Sequence, residues 1–244
     1  MKATLTSLII ITLIFAGCKK DNPQKTKTYQ LNSVTYTANG VNSSVIYTYD
    51  SQGRLSGYND PRLGNTYKYT YGTDGNVSSA DVLDSHTSFV LETDKLTYSG
   101  STVNVQGTGG DVQIQNFNYT FNDKKQLIKA DNYDNSYVSF TYNDAGDIIN
   151  STQYSKSDGS VVYSASYTYD SKPNPLYALA VRNLHFAIFA NTAAALSMHN
   201  MLTSTASIGV NNYKYLDNGL PYSITTLSSD GEAATYVTYN YTTK

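Results

Sequence analysis

One thiol, three imidazoles and a scatter of carboxylates are the groups in this 244-residue sequence that chemistry could use. Cys18 is the single cysteine, and it directly follows the small pair Ala16-Gly17. A lone thiol forms no internal disulfide, so it is a buried or free side chain or the acceptor of a covalent group. The histidines are His86, His185 and His199. On one continuous helix the last two would stand roughly 21 Å apart at 1.5 Å per residue, too far to share a metal ion. All three read as satisfied or exposed side chains. The acidic runs Asp131 to Asp134 and Asp144 to Asp147 lack the spacing of a calcium loop and read as turn caps. The chain holds no Gly-x-Ser-x-Gly elbow, no Ser-x-x-Lys set and no phosphate loop. No catalytic, metal-binding or cofactor-binding residue is therefore assigned, no cofactor is expected, and the expectation is a protein that is not an enzyme.

The setting of Cys18 is more informative. Lys2 supplies a positive start, Leu5 to Phe15 an apolar run too short to span as a permanent helix, and Ala16-Gly17 the small residues of a cleavage site. The run Phe15-Ala16-Gly17-Cys18 resembles the lipobox of bacterial lipoproteins, in which the cysteine receives a diacylglycerol and becomes the acylated N-terminus. That resemblance implies a signal peptide over residues 1–17, lipidation at Cys18, and membrane lipid as the partner of the acylated end. Acyl chains contribute about 0.8 kcal/mol per buried methylene, ample to hold a domain at a membrane without a spanning helix. Lys19 stands where inner-membrane lipoproteins tend to carry aspartate, so the outer membrane is expected. Residues 18–27, polar and without aromatics, read as a lipidated tether.

Removal of residues 1–17 takes away only Lys2, which leaves 16 basic against 19 acidic residues. A nucleic-acid partner is excluded by that balance.

Whatever the anchor carries is built from a repeat. Tyr47-Thr48-Tyr49-Asp50-Ser51-Gln52-Gly53-Arg54-Leu55 is echoed by Tyr69 to Val77, Tyr119 to Leu127, Phe140 to Ile148, Tyr167 to Lys172 and Tyr213 to Leu220. Each unit alternates aromatic and polar residues with period two, breaks at an Asp/Asn/Gly cluster and resumes the alternation, which describes a β-hairpin. Gly53, Gly75, Gly146 and Gly219 fall where such a turn needs positive φ. The aromatic face, as in Tyr67-Tyr69-Tyr71, is expected to be buried, and the Thr, Ser, Asn and Lys face wet. With 24 tyrosines against 7 phenylalanines, the packed face must satisfy many hydroxyls. A membrane-spanning barrel would need a continuous aliphatic band outside, which neither face offers.

The expected fold is thus all-β, an antiparallel meander of hairpins over residues 28–244 forming a curved sheet or up-and-down barrel. One helix is expected near 175–198, with Asn174 as N-cap and Pro175 at its first position, plugging or flanking the sheet.

Tyr49-Asp50-Ser51-Gln52-Gly53-Arg54-Leu55 is similar to the YD repeat of RHS and teneurin proteins, whose hairpins stack into a β shell. The lipobox, the degenerate YD-like hairpins and the Asn-Pro-led helix together resemble the Bacteroidota outer-membrane lipoproteins that carry a domain of unknown function with a porin-like β fold. That resemblance implies a fold and a location and transfers no functional residue.

Two function classes follow. One is a binding or scaffolding module of the envelope, whose tyrosines stack on a glycan, a peptide or an envelope protein. The other is a carrier or assembly factor whose curved sheet encloses an apolar ligand beneath the helix. Ligand-binding residues are not assigned in either case. A filled tyrosine interior favours the first, and a large apolar cavity the second.

Overall fold

The computed structural model describes residues 28–243 apart from 110, 111, 133, 191, 229 and 230; the signal segment, Cys18 and the tether lie outside the described residues. The first eight strands are β1 (Tyr29–Ala38), β2 (Val41–Tyr49), β3 (Leu55–Asp60), β4 (Asn65–Tyr71), β5 (Val77–Asp84), β6 (Val90–Ser99), β7 (Thr102–Gly109) and β8 (Val112–Phe121). The rest are β9 (Leu127–Asp131), β10 (Ser136–Tyr142), β11 (Ile148–Ser155), β12 (Val161–Pro173), β13 (His199–Ser204), β14 (Ser207–Tyr215), β15 (Pro221–Leu227) and β16 (Ala233–Thr243). Each strand pairs antiparallel with its sequence neighbours, and β16 pairs with β1, so the meander closes into a barrel. Of the two forms expected, closure is the one adopted, and it removes both free edges.

The single helix expected near 175–198 is three short ones: α1 (Pro175–Ala180), α2 (Leu184–Ala190) and α3 (Ala193–Leu196). Polar side chains start each one anew. Asn174 Oδ1 accepts from Leu176 N, Asn183 Oδ1 from Phe186 N, and Thr192 Oγ1 from Ala195 N. Satisfying the first amides of three helices in this way lets the segment fold back on itself inside the barrel. Leu179, Ala180, Phe186, Ala187, Ile188, Ala193 and Leu196 are buried in the core, so the segment is a plug.

The alternation sorts the two faces as expected. Tyr47, Tyr58, Tyr67 and Val82 stand side by side on neighbouring strands and are buried. Tyr58 and Tyr67 stack at 4.4 Å, and Phe186 of α2 meets Tyr58 edge-on at 5.7 Å. Outside, Thr35 bonds Ser44 at 2.8 Å and Asn104 bonds Asn116 at 2.7 Å, a hydroxyl and amide surface rather than an aliphatic one.

Turn chemistry is local and repeated. Asp50 Oδ1 accepts from Gln52 N and Arg54 N, and Asn122 Oδ1 accepts from Lys124 N and Gln126 N. Gly53, Gly75, Gly146 and Gly219 have φ of 77°, 82°, 89° and 83°, the left-handed region where a Cβ is unfavourable.

The tyrosine closing most repeats has a specific task. At the plugged end, the ladders between an odd strand and the even strand after it stop early in every pair but one: β3 and β4 last pair at Gly57–Lys68, and β5 and β6 at Ser79–Lys95. Beyond that point the strands splay, and a tyrosine hydroxyl fills the gap. Tyr49, Tyr71, Tyr98, Tyr142, Tyr169 and Tyr241 donate to Leu31, Leu55, Val77, Leu127, Ile148 and Pro221 carbonyls at 2.6 to 3.0 Å. Tyr213 does the same for Met201 at 3.1 Å. The pair β7–β8 differs, because its ladder reaches Thr102–Thr120 and continues through Phe121 N to Ser101 O. There a phenylalanine stands in the tyrosine's place. Burial pushes the Tyr49 and Tyr98 hydroxyls up to about 12, so they remain donors at any physiological pH.

Two expectations follow. Tyr98→Phe should cost about 1 kcal/mol, the usual worth of one hydrogen bond, whereas Phe121→Tyr should gain nothing. Tyr69→Ala should cost about 3 to 5 kcal/mol and Thr70→Ala about 0.5 kcal/mol or less. Urea melts measure all four, and a threonine loss as large as the tyrosine loss would show both faces to be packed.

Candidate functional site

The barrel interior holds three places where polar or apolar groups converge: the root of the plug, its inner tip, and a crevice beside it. The root is a ring of hydrogen bonds between chain segments. Asn174 Nδ2 donates to Ala194 O at 2.6 Å and Ser197 O at 2.8 Å, tying the start of α1 to the end of α3. Ser197 Oγ accepts from Ile148 N at 3.0 Å, and Asp147 accepts from both His199 N and His199 Nδ1 at 2.9 Å. Asp170 begins as a repeat-type turn cap, accepting from Lys172 N, and also takes Asn200 N and the Tyr215 hydroxyl. The end of the plug is thereby tied to β11, and β11, β12, β13 and β14 are tied to one another around its root.

At the inner tip, α2 delivers His185 onto Asp94 of the wall. His185 Nε2 lies 2.9 Å from Asp94 Oδ2, with both side chains 0% exposed. Gln115 Nε2 bridges Asp94 Oδ1, at 2.6 Å, and Glu92 Oε1. Register explains the convergence: Ala80, Asp94, Gly107 and Gln115 stand in one row across β5 to β8. Gly107 is the floor of the pair, since a Cβ there would collide with Glu92 Oε1 and with the Gln115 side chain. Burial pulls the His185 imidazole below its ordinary value and favours the neutral ring. Burial, and then the neighbouring Asp94, pushes the Glu92 carboxyl up to about 7.

The arrangement joins the plug to the wall, and among the described residues no group of three potential metal ligands is assembled. His86 is separate, in the β5–β6 turn beside Ser85. Of the three histidines, two therefore meet aspartates and one is exposed. Glu92 and Asp94 were missed by motif reading, although their spacing carried the signal: Glu92, Asp94, Leu96 and Tyr98 share one parity, so both carboxylates had to point inward with the leucine.

The crevice occupies the opposite side of the lumen. It encloses about 430 Å³ between α3 and β10 to β13, lined by Val138, Phe140, Ser151, Gln153, Tyr163, Tyr167, Thr192, Ala193, Ala194 and Met201. A smaller recess of about 180 Å³ lies at the plugged end, where Tyr29 and Leu31 of β1 face Asn174, Pro175, Leu179 and Arg182. The start of β1 thus sits beside the plug.

No protein-family model matches this chain, and no curated protein matches it. Among solved structures, a porin-like protein from Bacteroides vulgatus is similar at 11% identity over 88% of this chain and 99% of its own, with a TM-score of 0.43. A porin-like protein from Bacteroides uniformis matches at 13% identity over 87% and 96%, with a TM-score of 0.42. A TcdB2-TccC3 structure matches 81% of this chain at 15% identity but only 10% of its own length, with a TM-score of 0.22.

The pH dependence of the tip is a direct test of its geometry. Because the folded carboxyl of Glu92 titrates at about 7, above its ordinary 4.5, its contribution to stability is complete below the unfolded value and is lost as pH rises through 7. The melting temperature should fall between about pH 4.5 and 7.5, the interval between the unfolded and the folded value, and Glu92→Gln should flatten that slope. Equal slopes in the two proteins would show that the carboxyl titrates normally.

Proposed function

We propose that this chain is a lipid-anchored outer-membrane protein whose plugged barrel is a non-enzymatic binding or scaffolding module. The observation that carries the reading is the sorting of the wall: tyrosine and aliphatic residues mostly face inward and threonine, serine and asparagine mostly face out, as at Thr48, Thr70 and Asn118, with Ile46, Val162, Val210 and Tyr222 the scattered exposed exceptions. A wall of that kind does not match an acyl-chain environment, which calls for an apolar outward band. Attachment to a membrane then falls to the acylated Cys18. Because β1 starts beside the plug, a tether over residues 18–27 would hold the plugged end toward the lipid and present the opposite rim. Phe89, Val41 and Leu63 are the most exposed large apolar residues of that rim, suited to contact with a glycan, a peptide or an envelope protein.

The crevice of about 430 Å³ favours a second reading, in which the same barrel is a carrier. Half of the lumen is filled by tyrosine and plug, and half is not.

Two measurements test the anchor and the wall separately. Cys18→Ser should abolish labelling by a clickable fatty-acid probe and release the protein from the membrane fraction; labelled mutant in membranes would overturn the anchor. The chain from Lys19 onward should be soluble without detergent and show mainly β circular dichroism. A detergent requirement throughout would make the wall lipid-facing.

A further inference from the structure

The two halves of the lumen are built differently. Where the wall meets α2, neighbouring strands place Tyr47, Tyr58 and Tyr67 side by side, and the rings fill the space. Across β10, β11 and β12 the equivalent row reads Phe140, Ser151, Ala165, so small residues stand where the other half has aromatics. The plug does not compensate, because it presents Ala193 and Ala194 there.

We propose that the resulting crevice binds a neutral, mainly apolar small molecule that carries one hydrogen-bonding group. Its volume of about 430 Å³ falls within the range of ligand pockets, and Val138, Phe140, Met201 and the two alanines make its walls apolar. None of its lining residues is charged, so an ionised ligand would lose hydration with nothing to replace it. Polar atoms are few and gathered. Ser151 Oγ and the Tyr167 hydroxyl bond each other at 2.7 Å; one donates, and the other keeps its hydrogen for a ligand oxygen. Gln153 Nε2 is engaged by Ser136 at 2.7 Å and Asp134 at 2.9 Å, which leaves the amide oxygen as an acceptor. Entry is by the lip at Tyr163, which is 46% exposed, while Phe140 deeper in is 7% exposed. This site deepens the carrier reading above and is independent of the anchor.

The chain from Lys19 onward suits the test, since the barrel closes between β1 and β16 and its core lies within it. Fluorescence titration with the neutral dye N-phenyl-1-naphthylamine should show saturable binding at one site. Dodecanol should compete, and the anionic dodecanoate should compete at least about tenfold more weakly. Ala194→Phe, which fills the crevice, should weaken dye binding at least about tenfold with circular dichroism unchanged. If that variant does not fold, Met201→Trp blocks the crevice from the opposite wall and should act alike. Absence of saturable binding, equal competition by alcohol and carboxylate, or full affinity in a folded crevice-filling variant would each overturn the proposal, while loss of the anchor in the Cys18→Ser experiment would not touch it.

Discussion

A carbonyl at the rim of a closed sheet needs a partner, and this barrel supplies one from a side chain. Where odd and even strands splay at the plugged end, ring after ring reaches across the gap and its hydroxyl donates to the carbonyl that the ladder has abandoned. The splay gives the plug a wide end to enter, and the hydroxyls prevent it from leaving buried acceptors unmet. Phe121 shows the logic from the other side. Its strand pair keeps its backbone bonds to the end, and no hydroxyl is needed. The abundance of tyrosine over phenylalanine therefore has a structural cause, because the ring packs inward while the hydroxyl closes the sheet.

The plug depends on that rim. Tyr71 gives its hydroxyl to Leu55 O and accepts from Asn183, the residue that starts α2. Tyr169 closes onto Ile148 O, the same residue whose amide donates to Ser197 at the end of α3. Rim closure and plug seating thus share atoms. At the tip the junction is electrostatic instead. Buried Asp94, Gln115 and His185 and half-buried Glu92 form one hydrogen-bonded set, with a neutral imidazole and a carboxyl whose proton is held into the neutral range. With the imidazole neutral, His185 meets Asp94 through a hydrogen bond rather than an ion pair, and the set fixes where α2 sits against the wall.

Packing in the lumen is consequently uneven. Aromatic rows, Phe186 and the His185 tip fill one side, whereas Ser151, Ala165 and the alanines of α3 leave the other open. With mainly polar groups outward, interrupted by exposed Ile46, Val162, Val210 and Tyr222, and apolar groups inward, the molecule largely inverts the arrangement of a lipid-embedded barrel. Both binding readings rest on this inversion, one on the rim and the other on the open half.

Much of this was legible in the chain. Period-two alternation broken by clusters of Asp, Asn and Gly dictates hairpins, because side chains alternate faces and only certain residues tolerate positive φ; Gly53 and Gly146 were identifiable by that reasoning alone. The facing of Tyr47 and Thr48 follows from the same parity, as does the start of the plug at Asn174-Pro175. Other features needed the third dimension. Closure depends on whether β16 meets β1, a contact between residues about as far apart as the chain allows. The break of the helix at Asn183 and Thr192 was hidden because alanine and leucine favour a helix throughout, and only the confines of the lumen, together with side-chain caps, make three short pieces better than one. The meeting of His185 with Asp94, and of Ser197 with Ile148, is set by where the plug enters, and no local pattern encodes a contact between segments that the barrel itself must first bring together.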